Sequence, residues 1–226
     1  MDDQARWYVD ELPLAGGVIA DVGANVGVLS EVFWREGATV VSIEPLRANV
    51  RALEQRIAEL DAGGRWRVEP CAVSDHDGVI DIVPFVSKHL GGKWNSAVAD
   101  GHTTGTCVRV PCRRLSTLVP NATVVKIDIE GHEYTVLDEA VPRLEHVQAW
   151  ALELHMLPER PLEGVLGQLH AHGFAAFAAG RPPSDPNGPW RASAIPRSLS
   201  WSEVPIARVK ADGSSFKMLH VIARRR

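Results

Sequence analysis

The chain has 226 residues, of which 45% are hydrophobic and 23% charged, and its formal net charge is −4. This composition predicts one soluble globular domain over residues 1–226 and excludes a disordered chain. Three cysteines without CxxC spacing favour neither a disulfide framework nor a zinc site. The polar and acidic start Met1-Asp2-Asp3-Gln4 and the lack of an apolar run of about 20 residues predict a cytoplasmic protein without a membrane partner.

The first unit along the chain has the pattern of a strand, a tight turn and a helix. The apolar run Val18 to Val22 contains Asp21 and leads into a turn made of Gly23, Ala24, Asn25 and Gly27. Glycines let a backbone approach a ligand closely, and helix N–H groups point at its polar end. We therefore expect Asp21 and these turn residues to bind a ligand. Asn25 replaces the second glycine of the dinucleotide fingerprint G-x-G-x-x-G.

The second unit is again a strand followed by a helix. Ala38 to Ile43 is a β-branched run that ends at Glu44, 23 residues after Asp21. A doubly wound fold places an acid there against the ribose hydroxyls of a nucleotide. Glu44 is therefore predicted to bind a ribose diol.

A third strand is predicted from Trp66 to Val73, with further strands at 79–83 and 107–111. The end of the third strand would bring Ala72 and Val73 to the level of an adenine ring. The segment from Val86 to Thr106 has four glycines and little periodicity. Long segments of this kind are usually lids or binding loops, so a substrate loop is expected there.

The second half of the chain contains Lys126-Ile127-Asp128-Ile129-Glu130-Gly131-His132-Glu133 at the end of a β-branched strand. Alternation would place Lys126, Asp128 and Glu130 on one side of that strand. Further strands are expected at 147–154, 174–177 and 216–223. Apolar strands that alternate with helices predict a Rossmann-like, doubly wound α/β fold with a mostly parallel seven-stranded sheet and helices on both faces. The core would span about 15–180, followed by a proline-rich loop and a final strand within 181–226.

These motifs together resemble the FkbM family of S-adenosylmethionine-dependent methyltransferases. The resemblance lies in the Asp21 to Gly27 turn, Glu44-Pro45, the segment from Ala72 to Asp75, and the Lys126 to Glu133 block. It implies that S-adenosylmethionine is the cofactor, held by the turn, Glu44, Ala72, Val73 and Asp128. It also implies methyl transfer, for which we expect a hydroxyl oxygen of a sugar or secondary-metabolite-like small molecule as acceptor.

Methyl transfer to a hydroxyl requires a base close to the methyl group. His155, at the tip of the strand after the signature block, is the first candidate because its ordinary pKa suits proton transfer near neutrality. Asp128 and Glu130 are expected to orient the acceptor, and His132 is the alternative base. A divalent cation held by Asp128, Glu130 and Glu153 is a further alternative.

Other classes of protein share parts of this pattern. A nicotinamide-dependent oxidoreductase shares the turn and the acid on the second strand, and a binding module could retain the fold without activity. From Arg181 onward the chain has nine Lys or Arg against three acids, which leaves an anionic acceptor open. A nucleic-acid substrate is disfavoured, because aromatic residues are not interleaved with these basic ones.

Overall fold

In a computed structural model, the described residues are 3–87, 93–98, 105–155, 160–181, 191–192 and 218–225. The helices are α1 (Asp3–Glu11), α2 (Val28–Arg35), α3 (Arg47–Glu59), α4 (Leu115–Leu118), α5 (Glu133–Ala140) and α6 (Leu162–Ala171). The strands are β1 (Val18–Val22), β2 (Thr39–Ile43), β3 (Trp66–Glu69), β4 (Ala72–Ser74), β5 (Gly78–Ser87), β6 (Lys93–Val98), β7 (Val108–Arg114), β8 (Val124–Ile127), β9 (Ala149–His155), β10 (Phe174–Arg181), β11 (Arg191–Ala192) and β12 (Met218–Arg225). None of the helices in these ranges has the length and hydropathy needed to cross a membrane.

The main sheet has the strand order β11-β10-β12-β9-β8-β1-β2-β3. Strands β3, β2, β1, β8 and β9 pair in parallel, whereas β12 runs antiparallel to β9 and β10. The predicted Rossmann-like, mostly parallel architecture is confirmed. The sheet has one strand more than the predicted seven because the two-residue β11 pairs with its edge.

A hydrophobic core covers each face of this sheet, because apolar β-branched residues occupy both sides of its central strands. One core packs Trp150, Ile127 and Leu137 together with α5 and α6. The other packs Tyr8, Phe33 and other side chains of α1, α2 and α3 against the opposite face. The polar ends of the central strands emerge from this second core.

A separate four-stranded sheet with the order β4-β7-β5-β6 was not predicted. The strand expected over 66–73 is split into β3 and β4 at Pro70, whose missing N–H cannot continue the ladder. The strands expected at 79–83 and 107–111 pair antiparallel with each other, outside the main sheet. Within the segment from Val86 that is expected to be a substrate loop, the end of β5 and β6 form a hairpin, and the substrate role stays a prediction. Residues 88–92 and 99–104 of that segment lie outside the described residues, as does most of the proline-rich stretch.

Candidate active site

The turn after β1 has the tight geometry that its glycines predict. Gly23 and Gly27 adopt φ of 77° and 81°, in the left-handed region that favours glycine. A Cβ atom on Gly23 would lie 1.9 Å from the main-chain oxygen of Asp128, and one on Gly27 would lie 2.4 Å from a Leu53 methyl group. The turn therefore packs directly on the segment that follows β8, and we expect a ligand bound on the turn to lie beside Asp128.

Glu44 joins this turn to the start of α3. Its side chain accepts hydrogen bonds from the main-chain N–H groups of Asn25 and Leu46, at 3.0 and 2.9 Å, and from the Asn49 amide at 3.3 Å. Burial raises the pKa of Glu44 although these donors oppose the shift. Because a carboxylate has about four acceptor positions, the same group retains capacity for a ribose diol.

We expect Glu44→Ala to weaken S-adenosylhomocysteine binding by about 1 to 3 kcal/mol, the usual cost of losing a charge-assisted partner. Glu44→Gln, which keeps the shape and one acceptor, should lose less. Calorimetric titration measures both affinities. Equal affinities of wild type and Glu44→Ala would contradict the ribose assignment.

Asp21 is fully buried at the end of β1 and has partners within the protein. The Trp66 indole donates to Ser42, Ser42 contacts Ser30 at 2.7 Å, and Ser30 donates to Asp21 at 2.5 Å. The Lys126 ammonium lies 3.2 Å from the other Asp21 oxygen. These contacts fix the carboxylate below the turn, and its predicted contact with the cofactor stays a prediction.

Lys126 connects three elements of the site, since it lies directly opposite Asp21 in the register of β8 and β1. Its ammonium is 3.7 Å from Asp128 and donates to the main-chain oxygen of Gly23 at 3.3 Å. Burial opposes its charge, yet the neighbouring carboxylates of Asp21, Asp128 and Glu153 hold its pKa above the ordinary value. Lys126 is therefore a buried cation that ties the glycine turn to the carboxylates, a role that the sequence motif did not reveal.

The signature block forms a turn in an unusual backbone conformation. Glu130 has φ of 57° and Gly131 has φ of 105°, so a non-glycine residue occupies the left-handed region. The fully buried Glu133 stabilises this turn by accepting from the N–H groups of Ile129 and Gly131, at 3.1 and 3.0 Å. Glu130 and Asp128 remain partly exposed, at 29% and 32% of their side-chain surface.

His155 lies at the tip of β9 between two carboxylates. Its Nδ1 is 3.0 Å from Glu133 Oε1 and its Nε2 is 3.4 Å from Glu130 Oε2. Burial lowers its pKa, but these two carboxylates outweigh burial and raise the pKa to about 11. A protonated imidazole has no lone pair with which to accept a proton. The assignment of His155 as general base stays a prediction, and this geometry is unfavourable to it.

Glu153, two residues before His155 on β9, is at the centre of the same polar cluster. The Nε2 atom of His220 lies 3.5 Å from its carboxylate. Burial raises the pKa of Glu153, and the nearby carboxylate of Asp128 raises it further. Its side chain keeps 14% of its surface exposed. A carboxylate whose pKa is raised is a stronger proton acceptor than an unperturbed one.

The other predicted positions lie at the edge of this arrangement. Ala72 and Val73 are buried in β4, which belongs to the small sheet. His132, the alternative base, contacts Ser74 Oγ at 3.0 Å, and burial lowers its pKa. Within the described ranges, no three His, Cys, Asp or Glu side chains are grouped as a metal ion would require. The described residues therefore give no support to the alternative in which Asp128, Glu130 and Glu153 hold a divalent cation.

The strand order of the main sheet, together with the glycine turn at the carboxyl end of β1, defines a Rossmann-like methyltransferase fold. Two solved structures show the same fold. One is a candidate tRNA (m1A22) methyltransferase from Streptococcus pneumoniae (11% identity, TM-score 0.51, covering 100% of this chain and 71% of that chain). The other is a precorrin-6y C5,15-methyltransferase from Geobacter metallireducens (10% identity, TM-score 0.50, covering 98% and 87%).

The family is established by a match over residues 21–175 to the methyltransferase FkbM domain, which takes in more than half of the chain. The chain belongs to this family, and its cofactor is S-adenosylmethionine. A solved FkbM methyltransferase from Methylobacillus flagellatus is 18% identical, with a TM-score of 0.45 over 61% of this chain. The present chain covers 32% of that protein, about a third of its length. No curated protein matches the chain.

The N–H groups of Gly23 to Gly27 all have acceptors inside the protein, namely the main-chain oxygens of Ile43 and Ala24, the Glu44 carboxylate and Asn25 Oδ1. We therefore expect the carboxylates of Glu44 and Asp128 to provide the main polar contacts to a nucleoside with an amino-acid tail. The feature that sequence reasoning missed is the depth of the cluster. Lys126 and Glu133 belong to the signature block, and the sequence pattern indicated Glu153 only as a metal ligand. Tyr8 and His220 come from segments without a motif, so no sequence signal pointed to them.

Proposed function

We propose that the chain transfers the methyl group of S-adenosylmethionine to a hydroxyl oxygen of a small molecule such as a sugar or a secondary metabolite. One observation carries the proposal. Asp128, Glu130 and Glu153 place three partly exposed carboxylates beside the turn on which the cofactor is expected to bind. Carboxylates accept hydrogen bonds from hydroxyl groups, which they orient toward the methyl carbon.

In the proposed reaction the hydroxyl oxygen attacks the methyl carbon in line with the carbon–sulfur bond, whose electrons pass to sulfur. The hydroxyl proton goes to the Glu153 carboxylate, and the products are a methyl ether and S-adenosylhomocysteine. His155 keeps its proton and holds Glu130 and Glu133 in place. The sequence predicted His155 as the general base, whereas here it holds carboxylates in place, because its ring is already paired with two of them.

The acceptor class is tested by incubating the full chain with S-adenosylmethionine carrying a tritiated methyl group. A panel of neutral polyols, glycosides and phenols is compared with matched amines, thiols and carboxylated analogues. We expect label in methyl ethers that survive acid and base. Label found only on nitrogen or sulfur would contradict O-methylation, and label only on carboxylated acceptors would favour the anionic alternative.

We expect His155→Gln to lower turnover by about tenfold or less and to leave the pH dependence of turnover unchanged, since glutamine still donates one hydrogen bond. A loss of about 10²-fold or more with an altered pH profile would restore His155 as the base.

The stability of the His155→Gln variant supplies an independent measurement. The pKa of His155 is raised on folding, so its stabilising effect is fully present below its ordinary pKa of about 6.5 and is lost as pH rises toward about 11. The difference in unfolding free energy between wild type and the variant should therefore shrink between pH 6 and pH 10. A constant difference over this range would contradict the charged form of His155.

A further inference from the structure

The strand-end cluster contains more negative than positive charge. Its carboxylates belong to Asp21, Asp128, Glu130, Glu133 and Glu153, and its cations are Lys126 and the protonated His155. Oε2 of the fully buried Glu133 has no hydrogen-bond partner within the described part of the chain, whereas its Oε1 is paired with His155. In a site of low dielectric this imbalance creates an attractive potential for a cation.

The cofactor of this family supplies such a cation. S-adenosylmethionine carries a sulfonium, whereas its product S-adenosylhomocysteine carries a neutral thioether at the same place. The contact between Gly23 and the main chain of Asp128 means that a cofactor lying on the glycine turn passes beside Asp128. Glu153 stands on the neighbouring strand, where β9 follows the register of β8.

We propose that Asp128 and Glu153 select the charge on the sulfur, so that the chain binds S-adenosylmethionine more tightly than S-adenosylhomocysteine and releases its product readily. The proposal rests on methyl transfer at this site. Lys126 is already paired with Asp21 and Asp128, and His155 with Glu130 and Glu133. The closest described contact of Glu153 is with His220, whose pKa burial lowers to about 4, and Lys126 and His155 act on Glu153 only at longer range.

Calorimetric titration of the full chain tests this without any acceptor. The ligands are S-adenosylhomocysteine, S-adenosylmethionine and sinefungin, an unreactive analogue with an ammonium group in place of the methyl sulfonium. At pH 8 we expect both cationic ligands to bind about tenfold or more tightly than S-adenosylhomocysteine, as expected for a charge near an unpaired carboxylate. Equal or tighter binding of S-adenosylhomocysteine would overturn the proposal. Absence of binding by all three ligands would instead contradict the proposed function.

Variants then locate the source of the preference. Glu153→Gln should reduce the ratio of affinities for sinefungin and S-adenosylhomocysteine several-fold while leaving the affinity for S-adenosylhomocysteine nearly unchanged. Glu145→Gln, at an exposed position outside the cluster, is the matched control and should keep the wild-type ratio. Asp128→Asn is a second variant, and thermal unfolding checks that each protein is folded. An unchanged ratio in both cluster variants would show that these carboxylates do not select the charge.

The preference should also depend on pH. The titratable and charged groups that face Glu153 come from four elements and the turn after β8, and they are Tyr8, Lys126, Asp128, Glu130, His155 and His220. Because the pKa of Glu153 is raised, this carboxylate takes up a proton first as the pH falls. The affinity ratio should therefore decrease in the wild type as the pH falls from 8 and remain flatter in Glu153→Gln. An equal slope in the two proteins would overturn the contribution of Glu153.

Discussion

Glu153→Gln is expected to reduce methyl transfer by about 10²- to 10⁴-fold, the usual loss when a general base is removed. Glutamine has nearly the same shape and keeps an acceptor toward His220, but it cannot take a proton at neutral pH. Turnover of the best acceptor from the hydroxyl panel measures the loss. The affinity for S-adenosylhomocysteine should stay within a few-fold of wild type, which separates the loss from a cofactor-binding defect.

The pH dependence of turnover tests the same role of Glu153. A base acts only when deprotonated, so wild-type turnover should rise with pH through the pKa of Glu153, which burial and Asp128 place above the ordinary carboxyl range of about 4. The variant should lack this rise. Added formate should partly restore turnover in Glu153→Ala, because a small carboxylate can enter the space that the side chain leaves. Full activity in Glu153→Gln, with an unchanged profile, would exclude Glu153 as the base.

The sequence predicted the parts of the site that depend on local pattern. Gly23 and Gly27 stand where the chain needs a left-handed conformation, and apolar strands that close on an acid place Asp21, Glu44 and Asp128 at one edge of a parallel sheet. The side shared by Lys126 and Asp128 follows from the two-residue period of a strand. Each of these features depends on residues that are close together in the chain, so a single sequence is enough to predict it.

The contacts between distant segments could not be predicted in this way. Alternation places His155 at a strand tip, but it does not show that Glu133 folds back from the start of α5 to reach the same ring. The pairing of His220 with Glu153 depends on an antiparallel register set 67 residues further along the chain. Tyr8 reaches the cluster from α1, which has no motif. We therefore propose Glu153 as the base in place of the predicted His155, although that prediction is still to be tested by the variants above.

Gly23→Ala is expected to cause the largest loss of cofactor binding among substitutions in the turn. The variant has two costs. Alanine at φ of 77° is strained by about 1 to 2 kcal/mol, and the added methyl group overlaps the Asp128 oxygen, which is backbone and cannot rotate away. Separating the turn from the segment after β8 adds a cost of about 1 to 3 kcal/mol, typical of overpacking.

Gly16→Ala is the matched control because Gly16 has a similar φ of 72° but no atom lies within 4 Å of its added Cβ. It should lose about 1 to 2 kcal/mol of unfolding free energy from backbone strain alone and bind S-adenosylhomocysteine as the wild type does. Gly23→Ala should lose about 3 kcal/mol or more and bind at least about 100-fold more weakly. Chemical denaturation and calorimetric titration measure the two quantities. If the two variants lose similar amounts of unfolding free energy and of affinity, backbone strain alone explains the effect of Gly23→Ala. The contact between Gly23 and Asp128 would then not position the cofactor.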